Sequence, residues 1–525
     1  MTQLVTTKWI PMEEVDTVII GGGHNGLICA TLLAKAGHAV TLVEANEMLG
    51  GLASEREFHP GFKSTIAHTL YAIPKVIIDQ LNLPAYGFVQ EGSPLPLIAL
   101  SETEPAIQIS ENDISGGGEQ DQKAFRTYLE MLRKFSAALA PFWGKTMPRI
   151  GAASMKSIMT FGQLGLKLRM LGKADMLEFF RVATLPMRDL VDEHFSNETL
   201  KAALCWDGLI GSQLAPRSPN QAVLTLLNRM AGFRQGQHLI PKGGMGGFIT
   251  ALEAAAIDAG VTIRTRKQVA KIIITADENG QRCSGIELSD GETIDCQQVV
   301  SSADPQTTFL RLVGAQHLEI EFTNRIRRIR NKGYVARLHL ALSELPAFQG
   351  LGTPTGRMLI APDMDTIEFA WDNAKYGELP ETPVLELLIP TTQEHTLAPP
   401  GQHVLAINIM YVPHDLKMGW TPAAREQLMA KVMALLDSHA PGIAQLVLGS
   451  ELLTPLDIGQ QYHLTNGHWH HCEPAIDQLL MMRPTYEAAQ YSTPIPGLFL
   501  CGAGSHPAGD ISGNPGRNAA REILS

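Results

Sequence analysis

The chain has 525 residues, 45% of them hydrophobic and 18% charged, with a formal net charge of −11. That length predicts three to four domain-sized units around a large core rather than a disordered chain, and the acidic balance excludes a general electrostatic attraction to nucleic acid. Six cysteines without a CxxC pair signal neither a dithiol centre nor a structural zinc site, and they suit a reducing, cytoplasmic compartment.

Met1 to Asp16 holds no apolar run long enough for a signal peptide. Nowhere do 18 apolar residues follow one another, so no transmembrane helix is expected. Asp16 to Ile20 reads as a short buried strand, and glycines follow at once. Gly26 to Lys35 has a helical pattern that stops at Gly37, a suitable C-terminal cap. Ala39 to Glu44 (AVTLVE) is a second buried strand, so the three elements form a βαβ unit with a parallel sheet. Residues 111–120 are polar and glycine-rich and predict an exposed loop. From Gln122 to about Met230, helical periodicity with little β-branching predicts a separate helical insertion. Near His238 a second nucleotide-domain segment starts, with Gly243, Gly244, Gly246 and Gly247 leading into a helix at Phe248–Ala259 and a strand at Val261–Thr265. A hairpin of Val269–Thr275 and Cys283–Leu288 follows. The basic run Arg325, Arg327, Arg328, Arg330 and Lys332 reads as a solvated helix face. Strands at Val335–Leu342, Val384–Ile389 and Val404–Tyr411 lack helical crossovers and predict an antiparallel sheet. Gly497 to Ser525 returns to strand, glycine-rich turn and helix.

Gly21, Gly23 and Gly26 satisfy G-x-G-x-x-G within GGGHNG. The first permits the tight strand-to-helix turn, the second lets a pyrophosphate approach the backbone, and the third allows close helix–strand packing. Asn25 falls in the same turn, at the helix N-terminus whose free N–H groups favour phosphate. Glu44 stands 23 positions beyond Gly21, at the end of the second strand, where a carboxylate accepts from ribose hydroxyls. It also argues against NADP, whose 2′-phosphate would meet it without a cation. The added pair Gly50–Gly51 points to FAD rather than NAD. The expected fold class is α/β. A Rossmann-like FAD-binding domain is built from segments 14–110, 236–305 and 491–525. An α+β substrate domain combines a helical, membrane-facing insertion at 120–235 with an antiparallel sheet at 306–490.

Three stretches, VIIGGGHNGLICATLLAKAGHAVTLVEANEMLGG, LIPKGGMGGFITAL and PGLFLCGAGSHPAGDISGNPGRNAA, give the chain a family likeness. It resembles the phytoene desaturase-like flavoproteins of the wider amine oxidase superfamily. It is most similar to the branch named for a pyridine nucleotide-disulphide oxidoreductase domain and to carotenoid ketolases. The resemblance implies that Gly21, Gly23 and Gly26 hold the FAD pyrophosphate, Glu44 the adenosine ribose, and Gly50 and Gly51 the phosphate–ribityl section. It also implies that the Val269 backbone faces adenine, that Gly502 and Ala503 sit by the pyrophosphate or ribityl chain, and that the turn from Asp510 to Gly513 approaches the flavin's pyrimidine edge. Amine oxidases usually carry arginine after the paired glycines, whereas Leu52 stands here.

With FAD bound, the flavin accepts a hydride at N5 and no triad is required. The expected function is dehydrogenation of an apolar or isoprenoid-like small molecule. Carotenoid ketolase or isomerase activity, amine oxidation, and a non-catalytic lipid-binding escort role remain as alternatives. His68 and His506 are the candidate substrate-facing residues. His463, His468, His470 and His471 predict a loop over flavin or substrate rather than a metal site, since adjacent histidines cannot share one face of a strand. Met155 to Lys173 is apolar and basic without an acid, a composition suited to peripheral contact with a membrane surface.

Overall fold

The computed structural model describes residues 15–70, 73–90, 92–149, 155–219, 221–232, 236–278 and 280–525, with the backbone alone at Lys156, Ser157 and Asp277. Two sheets carry the architecture. The first has seven strands. Its parallel core runs Thr262–Arg264, Val40–Val43, Val15–Ile20 and Thr293–Ser301, and Leu498–Leu500 lies alongside the last. Gly280–Leu288 and Val269–Asp277 extend it as an antiparallel meander. Val18, Ile19, Val299 and Val300 are wholly buried, as befits parallel strands covered on both faces.

Helix His24–Lys35 packs between Gly244–Asp258 and Asn514–Ile523, so three distant segments close one core. The expected elements are present, and the first helix begins two residues earlier than its periodicity predicts. Gly37, at φ +97°, follows its C-terminus.

The second sheet has eight strands, in the order 447–453, 335–342, 403–410, 384–388, 357–360, 97–99, 107–109 and 114–115. All its pairings are antiparallel except that of 357–360 with 97–99. Three of these strands lie between residues 97 and 115, so this sheet recruits chain that the sequence reading gives to the cofactor unit and to an exposed loop. Local pattern cannot reveal this, because sheet membership is decided by pairing across more than 250 residues.

One face of this sheet packs Leu338, Leu340, Leu385, Leu387, Ile407 and Ile409 with Leu428, Val432 and Leu436 of helix Pro422–His439. The opposite face turns towards the cofactor unit. The described residues between 119 and 230 are mainly helical, as expected, and no helix among the described residues is long and apolar enough to cross a membrane. In the basic run, Arg325 pairs with Glu487, Arg330 with Glu473 and Asp477, and Lys332 with Asp415. Those cations are neutralised locally.

Candidate active site

A cleft of about 300 Å³ runs from the carboxyl ends of strands Val15–Ile20 and Val40–Val43 to the inner face of the eight-stranded sheet. This is the crevice where open α/β sheets bind ligands. Of the residues predicted from the sequence, Gly21, Gly23, Asn25, Glu44, Gly50, Gly51, His68, Val269, Ala503 and Asp510 line it.

The glycines shape the nucleotide end for two different reasons. Gly21 (φ +95°) and Gly50 (φ +108°) occupy backbone conformations that a Cβ strains. The Gly50 N–H donates to the Gly22 carbonyl at 2.8 Å, which zips the paired glycines to the first turn. Gly26, Gly502 and Gly513 stand behind the cleft wall and permit close packing. A Cβ on Gly26 would press into the Gly21 carbonyl oxygen, and one on Gly502 into that of Ser302. One on Gly513 would stand 2.5 Å from Ile28 Cδ1. The carboxylate of Glu44 is buried and accepts from the Gly22 N–H at 2.7 Å and the Asn46 N–H at 2.8 Å. It therefore holds the turn in shape as well as facing the cleft.

His68 is buried and lines the cleft, with its Nδ1 unpartnered. His506 is elsewhere. It lines a small apolar pocket with Phe142, Trp143 and Phe161, where its Nε2 meets the Phe142 carbonyl at 2.9 Å and burial lowers its pKa to about 4. The cis peptide before Pro507 belongs to the same turn. Tyr462, His463, Leu464, Trp469, His470 and His471 line the cleft, as expected of a loop over the cofactor or substrate. His468 does not line it.

The sequence reading missed the far wall, where Asp207, Arg229, His238, Arg357, Glu386 and Asn408 converge. Arg357 donates to Glu386 at 2.6 Å and in a fork to Asp207 at 2.5 and 3.1 Å. Glu386 also accepts from Trp206 Nε1 at 3.0 Å and Asn408 Nδ2 at 3.3 Å. Arg337 donates to Asn408 at 2.5 Å and to His339, which reaches Glu451, and Glu451 pairs with Arg56. Glu386, Asn408 and Arg337 stand directly opposite one another on three adjacent strands. Burial alone would raise the Glu386 carboxyl, but Arg357 outweighs it and holds the group down to about 2. Beside it, Arg229 pairs with Asp510 at 3.0 Å and donates to the Asp207 and Ile210 carbonyls. Against the same burial, Arg229 and His470 keep Asp510 well below the carboxylate range. A signal for this wall existed. VLELL, AINIM and VARLHL each set polar residues within an otherwise apolar strand, and a buried polar residue on a strand needs a partner across the sheet.

Residues 26–524 match the flavin containing amine oxidoreductase family. The chain belongs to that family. It is 31% identical to mouse pyridine nucleotide-disulfide oxidoreductase domain-containing protein 2, over 97% of this chain and 93% of that one. It is 25% identical to a Streptomyces griseus phytoene dehydrogenase, over 88% of this chain and 85% of that one. A solved putrescine oxidase has the same fold, with a TM-score of 0.62 at 13% identity, covering 97% of this chain and 98% of the other. This family member is an FAD-dependent oxidoreductase. Its residues fit FAD. The space before Gly23 is open, since a Cβ there would meet nothing within 4 Å. Five cleft-lining side chains, His24, Asn25, His68, Trp469 and His471, hold buried polar atoms without a partner in the chain, and such atoms are costly unless a ligand meets them.

Proposed function

We propose that this flavoenzyme dehydrogenates an apolar, isoprenoid-like substrate. The observation that carries the reading is the closed ionic wall. Arg357 is shared by Asp207 and Glu386, and Arg229 is held by Asp510 and two carbonyls. Every one of these groups has ion-pair or hydrogen-bond partners within the chain, so none of them is left open to an ammonium or carboxylate substrate. Similarity to a phytoene dehydrogenase supports the same substrate class. Leu52, where amine oxidases usually have arginine, supports it further.

Bound FAD supplies the hydride acceptor. The chain's own work is to hold the substrate C–H bond, exclude water and remove the second hydrogen as a proton. Ile66, Ala67, Ile210 and Trp469 give apolar surface for the substrate body. His238 stands in the cleft, with its Nδ1 3.0 Å from the Thr69 hydroxyl. Burial, with Arg357 nearby, lowers its pKa to about 4. It is therefore neutral at physiological pH and able to accept that proton as the carbon–carbon double bond forms.

An exposed surface suits delivery of such a substrate. On helices Met155–Met170 and Lys173–Val182, the side chains of Met155, Ile158, Met159, Leu166, Met170, Leu177 and Phe180 are all more than half exposed. Lys167, Arg169 and Lys173 accompany them, and the acids of the second helix, Asp175 and Glu178, are paired with Lys134 and Arg181. We propose that this face rests on an anionic bilayer surface.

The decisive experiment is anaerobic mixing of the holoenzyme with monoterpene and carotenoid-precursor hydrocarbons in one series and primary amines in another. Loss of flavin colour with the hydrocarbons alone is expected. Bleaching by amines alone would replace this reading with amine oxidation. Flavin that no substrate reduces would point to a carotenoid isomerase or a lipid escort.

A further inference from the structure

We infer that His24 and His471 are hydrogen-bond donors to the FAD diphosphate, and that they take up protons when this dianion binds. The inference rests on the FAD assignment and concerns two side chains, one at a variable position of the glycine fingerprint and one remote from it in sequence.

His24 opens the helix that follows Gly23, where the cleft is unobstructed. His471 comes from a distant part of the chain, on the loop after Tyr462, with φ +64°. Its ring lies against the terminal glycine turn, with Cε1 3.2 Å from where a Cβ on Gly502 would stand. Both side chains line the cleft, and each has a buried ring nitrogen, Nε2 of His24 and Nδ1 of His471, without a partner. Two unpaired buried nitrogens on neighbouring cleft-lining side chains, beside the glycine turns, call for an acceptor in the cleft. A diphosphate is acceptor-only and charged, so it fits both.

The charge balance gives them a second role. Neither 20–26 nor 502–513 contains a lysine or arginine, so no fixed cation stands on the two turns that flank the diphosphate. The charged and titratable groups facing His471 are Asp304, Arg483, His470, His468 and His24; the group facing His24 is His471 itself. Asp304 is occupied by Thr307 and Thr465, Arg483 by backbone carbonyls, and His470 by Asp510. Arg311 lies exposed on the cleft wall. Burial is the main cause that holds both imidazoles neutral, each near 4. An adjacent dianion favours the imidazolium form and raises those values. The sign of the linkage follows. FAD affinity is flat above the raised values, increases as pH falls through them, and levels off below about 4, by up to about tenfold per pH unit for each proton taken up.

The test is FAD release from diluted holoenzyme, followed by flavin fluorescence between about pH 8 and pH 5.5. Wild type is expected to release FAD several-fold more slowly at the acid end. The His24→Gln/His471→Gln protein keeps amide donors but cannot titrate. It should release FAD within about threefold of wild type at pH 8 and lose the pH dependence. His24→Leu/His471→Leu should release it about a hundredfold or more faster at pH 8, the weight of two hydrogen bonds to a charged group. Should the leucine pair fail to fold, the glutamine pair decides. A leucine pair that retains FAD as wild type does, or a glutamine pair that keeps the pH slope, overturns the inference. Wild type that remains colourless in excess FAD would refute the cofactor assignment instead, whereas coloured wild type with pH-indifferent release refutes this inference alone.

Discussion

Arg357→Met tests the closed ionic wall most directly. The substitution keeps the apolar stem of a side chain that is 4% exposed but removes the guanidinium. Asp207 then loses both bonds of its fork, and Glu386, 5% exposed, keeps only Trp206 and Asn408. Breaking a buried pair by deleting one partner costs about 3–5 kcal/mol, because the surviving charge is left unmatched. A chain of this length unfolds with an entropy of roughly 1 kcal/mol per degree, on the usual per-residue scaling. The expected fall in Tm near pH 8 is therefore about 3–5 °C, read by circular dichroism on flavin-saturated protein. The pH dependence carries the diagnostic sign. In wild type, Asp207 and Glu386 are held below their ordinary values. They thus contribute stability that is present above the unfolded-state carboxylate range and is lost as pH falls through the lowered values. In the variant, burial without the cation raises both, so protonation relieves the penalty and the difference from wild type shrinks as pH falls towards 5. Adding Asp207→Asn and Glu386→Gln should restore most of the lost stability near pH 8. A Tm within about 1 °C of wild type at every pH, or no recovery in the triple variant, would refute the reasoning.

Gly26→Ala should yield a protein purified without bound flavin, because the new methyl presses into the Gly21 carbonyl and opens the turn; absorbance of the purified protein is the check. Glu44→Leu leaves the Gly22 and Asn46 amides unmet and should weaken FAD at least tenfold by equilibrium dialysis. Glu44→Gln, which keeps one acceptor, should lose less. The protein should sediment with anionic but not with neutral vesicles, and Lys167→Glu/Arg169→Glu/Lys173→Glu should abolish this without altering the flavin spectrum; equal sedimentation of the variant would remove the bilayer-surface proposal.

The sequence by itself determined the dinucleotide end of this protein. The requirements there are local. Gly21 must turn, Gly26 must have no side chain, and Glu44 must stand one strand away, and these constraints fall within one βαβ unit whose spacing is readable along the chain. The same holds for the helical character of residues 119–230, where periodicity decides. Tertiary structure decided the far wall of the cleft, for which the sequence shows only polar residues set within apolar strands. Asp207, Arg229, His238, Arg357, Glu386 and Asn408 come from helices, strands and a loop spread over some 200 residues, and each in isolation reads as an ordinary polar residue. Strand register places Glu386 opposite Asn408 and Asn408 opposite Arg337, and only then do the charges close on one another. His506 marks the same divide. Its position beside the terminal glycine turn points to a substrate-facing role, yet its ring packs away towards Phe142, because a chain's direction does not fix which side of a turn receives a side chain.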